Sequence, residues 1–233
     1  MKFIISILVS IIEVTLKFCE WVLASLAGLL SRLRLKLLKD YDYTEWLKRD
    51  LADCQTILEL GCGSSSPILK IGYGKRTDAV DIWELYVKKH NENGDYHICY
   101  WADIRKLDTV KGYDAVVMLD TLEHLPFDIG FLSKVEGCAR KKVILFTPNG
   151  FLKQDAVDGN PYQQHLSAWE PIDYLRRGYT VKGATGLRYL LTERSQTKYH
   201  PYFIFIVLVV LTQRLVFNHP NIAFHSYAVK EIK

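Results

Sequence analysis

The sequence has no closely paired cysteines: Cys19, Cys54, Cys62, Cys99 and Cys138 are odd in number, widely spaced and without a CxxC step. That scatter argues against a disulfide framework or a cysteine-based zinc site, and it points to a reducing cytosol. There is no long basic tract interleaved with aromatics, and the formal charge is only +4, so nucleic acid is not an expected partner. The histidines are dispersed, with no HxxxH or comparable spacing, so no metal site is expected. No internal repeat and no low-complexity linker interrupts the chain. What remains is 233 residues, 49% apolar and 24% charged, enough for one sizeable globular domain with appendages.

Long uncharged runs are also missing, which bears on both ends of the chain. "MKFIISILVSIIEVTLKFCEWVLASLAGLL" is strongly apolar, but Glu13, Lys17 and Glu20 interrupt it on one helical face. A membrane span needs about 20 nearly uncharged residues, and neither half reaches that alone. Residues 1–40 are therefore read as an amphipathic helix or helical pair ending in the basic run Arg32 to Lys39. Such a segment would make peripheral contact with the anionic inner face of a membrane. Cover for the domain's own apolar surface is the competing reading, and a true span is the third. The run "YFIFIVLVVLTQRLVF", within 202–217, is read first as a buried helix, with membrane contact as its alternative.

Residues 41–233 read as a single domain. After a short helix near Tyr43 to Ala52, apolar runs of strand length recur at Thr56–Leu60, Asp78–Ile82, His97–Trp101, Asp114–Leu119 and Lys142–Thr147. Amphipathic connectors follow the second and fourth. This alternation predicts an α/β, Rossmann-like, doubly wound sheet, mostly parallel. Farther on, "PIDYLRRGYTVKGATG" predicts a helix and then a strand near Tyr179–Ala184. "AFHSYAVKEI" predicts a last strand, antiparallel to that one. Right-handed crossovers would gather the carboxyl ends of the parallel strands at one edge, where ligands bind.

That edge is where the unusual residues fall. Glu59, Gly61, Cys62 and Gly63 lie in "ELGCG", at the end of the first strand, and the two glycines would allow a tight turn and close approach of backbone to a ligand. Asp81, followed by Ile82, ends the second strand, where a carboxylate can accept hydrogen bonds from ribose hydroxyls. Asp103 follows the third, with Ile104 as an apolar neighbour, suited to an adenine amine and ring. Asp120 follows the fourth. Acidic residues at successive strand ends are a pattern that a solvated surface does not produce readily.

From about Thr56 to Gly150 the chain resembles the class I S-adenosylmethionine-dependent methyltransferases. "ELGCG", "VDIW", "ADIRKL" and "YDAVVMLDTLEHL" are similar to the ordered motifs of that family. The resemblance implies S-adenosylmethionine as cofactor. Gly61 and Gly63 would lie along its methionine and ribose, Asp81 would hold the ribose, Asp103 and Ile104 the adenine, and Asp120 to His124 the methyl-bearing side. The commoner glycine pattern has a third glycine where this chain has Ser65. From "TPNGF" through "DGNP", "HLSAW" and "GYTVKGATG" the chain also resembles an uncharacterised subgroup of these enzymes.

The segment after Pro148 would form the acceptor side. It gathers Asn149, Gln154, Asp158, Asn160, Gln163, His165 and Trp169 in a short stretch. Asn149, Gln154, Asn160 and Trp169 are candidate substrate contacts, although a tryptophan there is more often a packing residue. His124 and His165 are candidate general bases, against the alternative that each merely fixes a loop. Methyl transfer needs mainly in-line alignment, and a base only for a hydroxyl or protonated amine. The acceptor would be a small or lipid-like molecule. Two other readings compete. A nicotinamide-dependent oxidoreductase would leave Asp103 and Asp120 without a role and lacks the sixth-position glycine, which is Ser66 here. A membrane-associated module could bind the cofactor without turnover.

Overall fold

A computed structural model describes residues 39–71, 75–106, 110–157, 159–191 and 202–232, with backbone alone for 202–206. Almost the whole expected N-terminal amphipathic segment and Asp158 lie outside the described residues. The strands are β1 (Thr56–Leu60), β2 (Arg76–Asp81), β3 (Ile98–Trp101), β4 (Tyr113–Leu119), β5 (Ala139–Pro148), β6 (Thr180–Leu187) and β7 (Ala223–Glu231). The helices are α1 (Tyr43–Asp50), α2 (Pro67–Lys70), α3 (Glu84–Asn93), α4 (Phe131–Cys138), α5 (Pro171–Leu175) and α6 (Tyr202–Asn218). The strands form one sheet in the order β3-β2-β1-β4-β5-β7-β6. Pairing is parallel from β3 to β5, and β7 runs antiparallel to both β5 and β6.

The central strands are apolar on both faces because both faces are covered. Along β4, Val116 and Met118 join a core with Leu132, Val135 and Tyr174 beneath α4 and α5. Ala115, Val117 and Leu119 point the other way, into a core with Trp46 and Leu47 of α1. β5 alternates likewise, Val143 and Leu145 against Ile144 and Phe146. This is the period-2 alternation of a pleated strand, with each face finding its own helices. β5 runs past the expected Lys142–Thr147 at both ends, Ala139 pairing with Tyr113 of β4 and Pro148 with His225 of β7.

α6 settles the reading of the C-terminal apolar run. Gln213 accepts from the Gly186 N–H at 2.8 Å and donates to the Gly183 carbonyl at 3.1 Å. A Cβ on Gly183 would collide with the Val216 carbonyl, so only glycine lets helix and strand approach this closely. Phe217 packs edge-on against Trp46 of α1, their centroids 5.2 Å apart. The helix therefore caps the sheet at β6. Among the described residues, no helix is long and apolar enough to cross a membrane.

Candidate functional site

β1 runs into a left-handed residue, Gly61 (φ 79°), and after Cys62 into another, Gly63 (φ 59°). The two glycines do different work. A Cβ on Gly61 would run into the side chain of Thr121, whose hydroxyl bonds the Leu60 and Gly61 carbonyls; a Cβ on Gly63 would meet open space. Gly61 thus serves the packing of β1 against the end of β4, and Gly63 leaves backbone bare to the cleft. The serines that follow start a helix: Ser66 caps α2 by accepting from the Ile68 N–H, and Pro67 holds the first helical position.

The loop is held from beneath. Glu59 is buried and takes hydrogen bonds from the hydroxyls of Ser66 and Tyr96. It does not line the cleft, and burial pushes its carboxyl up to about 7. His90 of α3 donates to the Gly63 carbonyl through Nε2 at 2.8 Å and meets Asp95 through Nδ1 at 2.7 Å. Asp81 accepts the Gly63 N–H at 2.9 Å through one oxygen and the Trp83 N–H at 2.8 Å through the other. The first oxygen also faces the Cys62 thiol at 4.0 Å, and the second keeps a further acceptor site. Burial raises the Asp81 carboxyl above its ordinary range.

The loop and the strand ends around it wall a cleft of about 390 Å³ at the carboxyl ends of β1 to β4. Gly61, Cys62, Gly63, Asp81, Ile82, Asp103, Ile104 and Asp120 all line it, as Asn160 does from the far side. Of the residues expected to hold the cofactor, Glu59 alone stands back. Asp103 is gripped by Arg105 through both carboxylate oxygens at 2.7–3.1 Å, and that guanidinium lowers its carboxyl below the usual range. Thr121, within the expected Asp120 to His124 stretch, lines the cleft, and so do Arg105, Tyr162 and Leu166, which were not expected there. Tyr162 and Leu166 arrive on a distant loop, which no local pattern announces.

A second cavity of about 900 Å³ adjoins the first, and Asp120, His124 and Gln163 stand in the walls of both. Gln154, Glu123, His165 and His225 line it as well. His225 lies on β7, where the sequence marks only a strand. Asp120 has a left-handed backbone (φ 50°), which puts its carboxylate 3.5 Å from His225 Nε2. Burial among surrounding protein raises the Asp120 carboxyl above its ordinary range, although about half of its side chain is open to the cavity. Burial pushes His124 down to about 4 and His225 down to about 3, so both rings are neutral at pH 7. A ring with that affinity is a weak proton acceptor.

Two of the expected acceptor contacts lie elsewhere. Asn149 is buried, donates through its amide to the Pro220 and Ala223 carbonyls, and lines neither cavity. It ties the end of β5 to the start of β7. Trp169 is buried in the core, stacked on Tyr174 at 5.8 Å and donating to Ser167 Oγ at 3.0 Å. The histidines that look dispersed in sequence do converge. Donor atoms of Glu123, His124 and His165 lie within 4.8 Å of one another, a set of ligand type that sequence spacing did not reveal.

No family model matches the chain, and no curated protein matches it. Solved structures do resemble it. A coclaurine N-methyltransferase bound to N-methylheliamine and S-adenosylhomocysteine matches at TM-score 0.53 and 13% identity, over 80% of this chain and 71% of that one. The O-methyltransferase of a trans-AT polyketide synthase multienzyme from Brevibacillus brevis, in complex with S-adenosylhomocysteine, matches at TM-score 0.51 and 14% identity. The match covers 78% of this chain and 68% of that one. Magnesium protoporphyrin IX methyltransferase from Synechocystis PCC 6803 matches at TM-score 0.50 and 15% identity, over 82% and 80%. The chain has the Rossmann-like fold of class I methyltransferases.

Proposed function

We propose that this chain is an S-adenosylmethionine-dependent methyltransferase that moves a methyl group to a small-molecule acceptor by in-line displacement. One observation carries the reading: aspartates from the ends of β2, β3 and β4 wall a single cleft, which opens into a second cavity beside Asp120. The remaining acceptor capacity of the Asp81 carboxylate would take the ribose hydroxyls, while Ile82 packs beside the ribose. Asp103 would accept from the adenine amine, and Ile104 would pack the ring. The bare backbone at Gly63, with Gly61 and Cys62 behind it, would run along the methionine. Asp120 and His124 then stand where the methyl group meets the acceptor, and Gln154 and Asn160 contact that acceptor. Residues 41–233 would suffice for the reaction, which needs the two cavities and their shared wall. A nicotinamide cofactor would leave this arrangement of acids unused.

Calorimetry decides between the cofactors. S-adenosylmethionine and S-adenosylhomocysteine should bind saturably, and NAD should not. Asp81→Asn removes charge-assisted hydrogen bonds worth roughly 1.5–3 kcal/mol, which is about a 10- to 150-fold loss of affinity. A preference for NAD would overturn the reading.

The acceptor is proposed to be lipid-like in a finer version of the same reading. Leu208, Leu211 and Leu215 are exposed along one face of α6, which supports contact with a membrane surface. Radiolabelled methyl donor incubated with cell extract should then send label into the organic phase. Label confined to the aqueous phase would leave a soluble acceptor. Cys62, Cys99 and Cys138 are thiols rather than disulfides, which supports a cytoplasmic setting.

A further inference from the structure

The sequence carries no recognisable metal motif, yet the fold builds a set of ligands. Glu123 and His124 sit on the turn after β4, and His165 reaches them from the loop ahead of α5. The three donor atoms lie within 4.8 Å of one another, and the two imidazole rings have centroids 4.8 Å apart. His124 Nδ1 faces the Gln164 carbonyl at 3.1 Å, and His165 Nδ1 faces the Leu152 carbonyl at 2.7 Å. A carbonyl can only accept, so Nδ1 carries the proton in both rings and the lone pair is on Nε2. Metal-binding histidines are oriented by this same outer hydrogen bond to a carbonyl or carboxylate.

Glu123 supplies the second half of the argument. Its side chain is buried, it accepts from the Thr147 hydroxyl at 2.9 Å and from its own backbone N–H, and no lysine or arginine pairs with it among the described residues. A buried carboxylate without a cation is costly unless it is neutralised. Asp120 adds a second acid beside it in the same cavity wall.

We infer that Glu123, His124 and His165 bind a first-row divalent ion such as Zn²⁺, Mn²⁺ or Co²⁺, and that the ion holds a hydroxyl-bearing acceptor against the methyl donor. Two imidazoles and a carboxylate favour such an ion over Mg²⁺ or Ca²⁺, which prefer all-oxygen shells. Ligand bonds of about 2.1 Å require the cluster to contract by roughly 1 Å. The cavity leaves further coordination positions open, as catalytic sites do. In the transfer, which rests on the methyltransferase reading, the acceptor O–H coordinated to the ion loses its proton to water. The oxygen then attacks the methyl carbon. The O–C bond forms as the S–C bond breaks, and that electron pair stays on sulfur, leaving a neutral thioether.

The test uses the full chain, stripped with chelator and titrated with Co²⁺. One ion per chain should bind and give visible d–d absorption, and Zn²⁺ should displace it. His165→Asn and Glu123→Gln should each weaken Co²⁺ binding at least tenfold while S-adenosylhomocysteine affinity stays within twofold of the unaltered chain. Absence of the absorption band in the unaltered chain overturns the ion site, whether or not the variants fold. Unchanged Co²⁺ affinity in both variants overturns it equally. Loss of S-adenosylhomocysteine binding in the unaltered chain is a separate outcome, because it strikes the cofactor reading and leaves the Co²⁺ titration intact. Hydroxyl acceptors methylated equally well with and without chelator would remove the catalytic role of the ion.

Discussion

Gly61 and Gly63 are both left-handed, but they differ in what a side chain would meet. Gly61→Ala combines backbone strain with a clash against Thr121 and should cost about 2–4 kcal/mol of stability, read by urea unfolding. Gly63→Ala should cost only about 1–2 kcal/mol, since its Cβ projects into empty space. Its methyl group enters the cleft instead, so the visible effect should be at least a tenfold loss of S-adenosylhomocysteine affinity. Equal stability losses in the two variants would contradict this division of labour. Glu59 makes a pH prediction. Its carboxyl is near 7 in the folded chain against 4.5 for the ordinary group, so the folded state binds the proton more tightly. Its contribution is therefore fully present below pH 4.5 and is lost as pH rises through 7. Roughly 3 kcal/mol is at stake, and Glu59→Gln should flatten that part of the stability profile relative to the unaltered chain.

At the scale of elements, the strands were legible, as was the antiparallel pairing of β7 with β6, whereas what α6 packs against was not. Short apolar runs marked β1 to β5 to within a few residues because parallel strands covered on both faces need continuous apolar side chains. α6 was ambiguous for the opposite reason. An apolar run says that a face is buried without saying against what. Its polar exceptions decide the matter: Gln213 bridges two main-chain groups of β6, and Gly183 admits the Val216 carbonyl. Gln213→Leu keeps the bulk but strands a buried N–H and a buried carbonyl. It should destabilise the chain by about 2–5 kcal/mol in urea unfolding. An unchanged midpoint would mean that α6 is not anchored there.

For the whole molecule, a cofactor seated across four strand ends should stabilise the folded state as a unit. At about 100 times its dissociation constant, S-adenosylhomocysteine should add about 2.7 kcal/mol. In a domain of this size that is a rise of about 5–11 °C in melting temperature. NAD at the same concentration should leave the melting temperature unchanged. The two cavities share Asp120, His124 and Gln163, so on the proposed reading the donor and the acceptor would be bound against a common wall. A bulky substitution at Gln163, such as Gln163→Trp, should therefore disturb both ligands. Substitution at Tyr86, which lines only the first cavity, should affect the donor alone.

The sequence by itself determined the sheet, the glycine turn and the acids that ring the cleft. Each of these is local: a strand needs its own apolar run, a tight turn its own glycine, and a strand end its own next residue. Tertiary structure alone decided that Asn149 and Trp169 hold the scaffold together. It alone decided that Glu59 stands beneath the loop, and that Glu123, His124, His165 and His225 face one cavity from separate segments. Spacing along the chain cannot report such meetings, because the crossovers that bring distant loops to one edge are fixed by packing of the whole sheet.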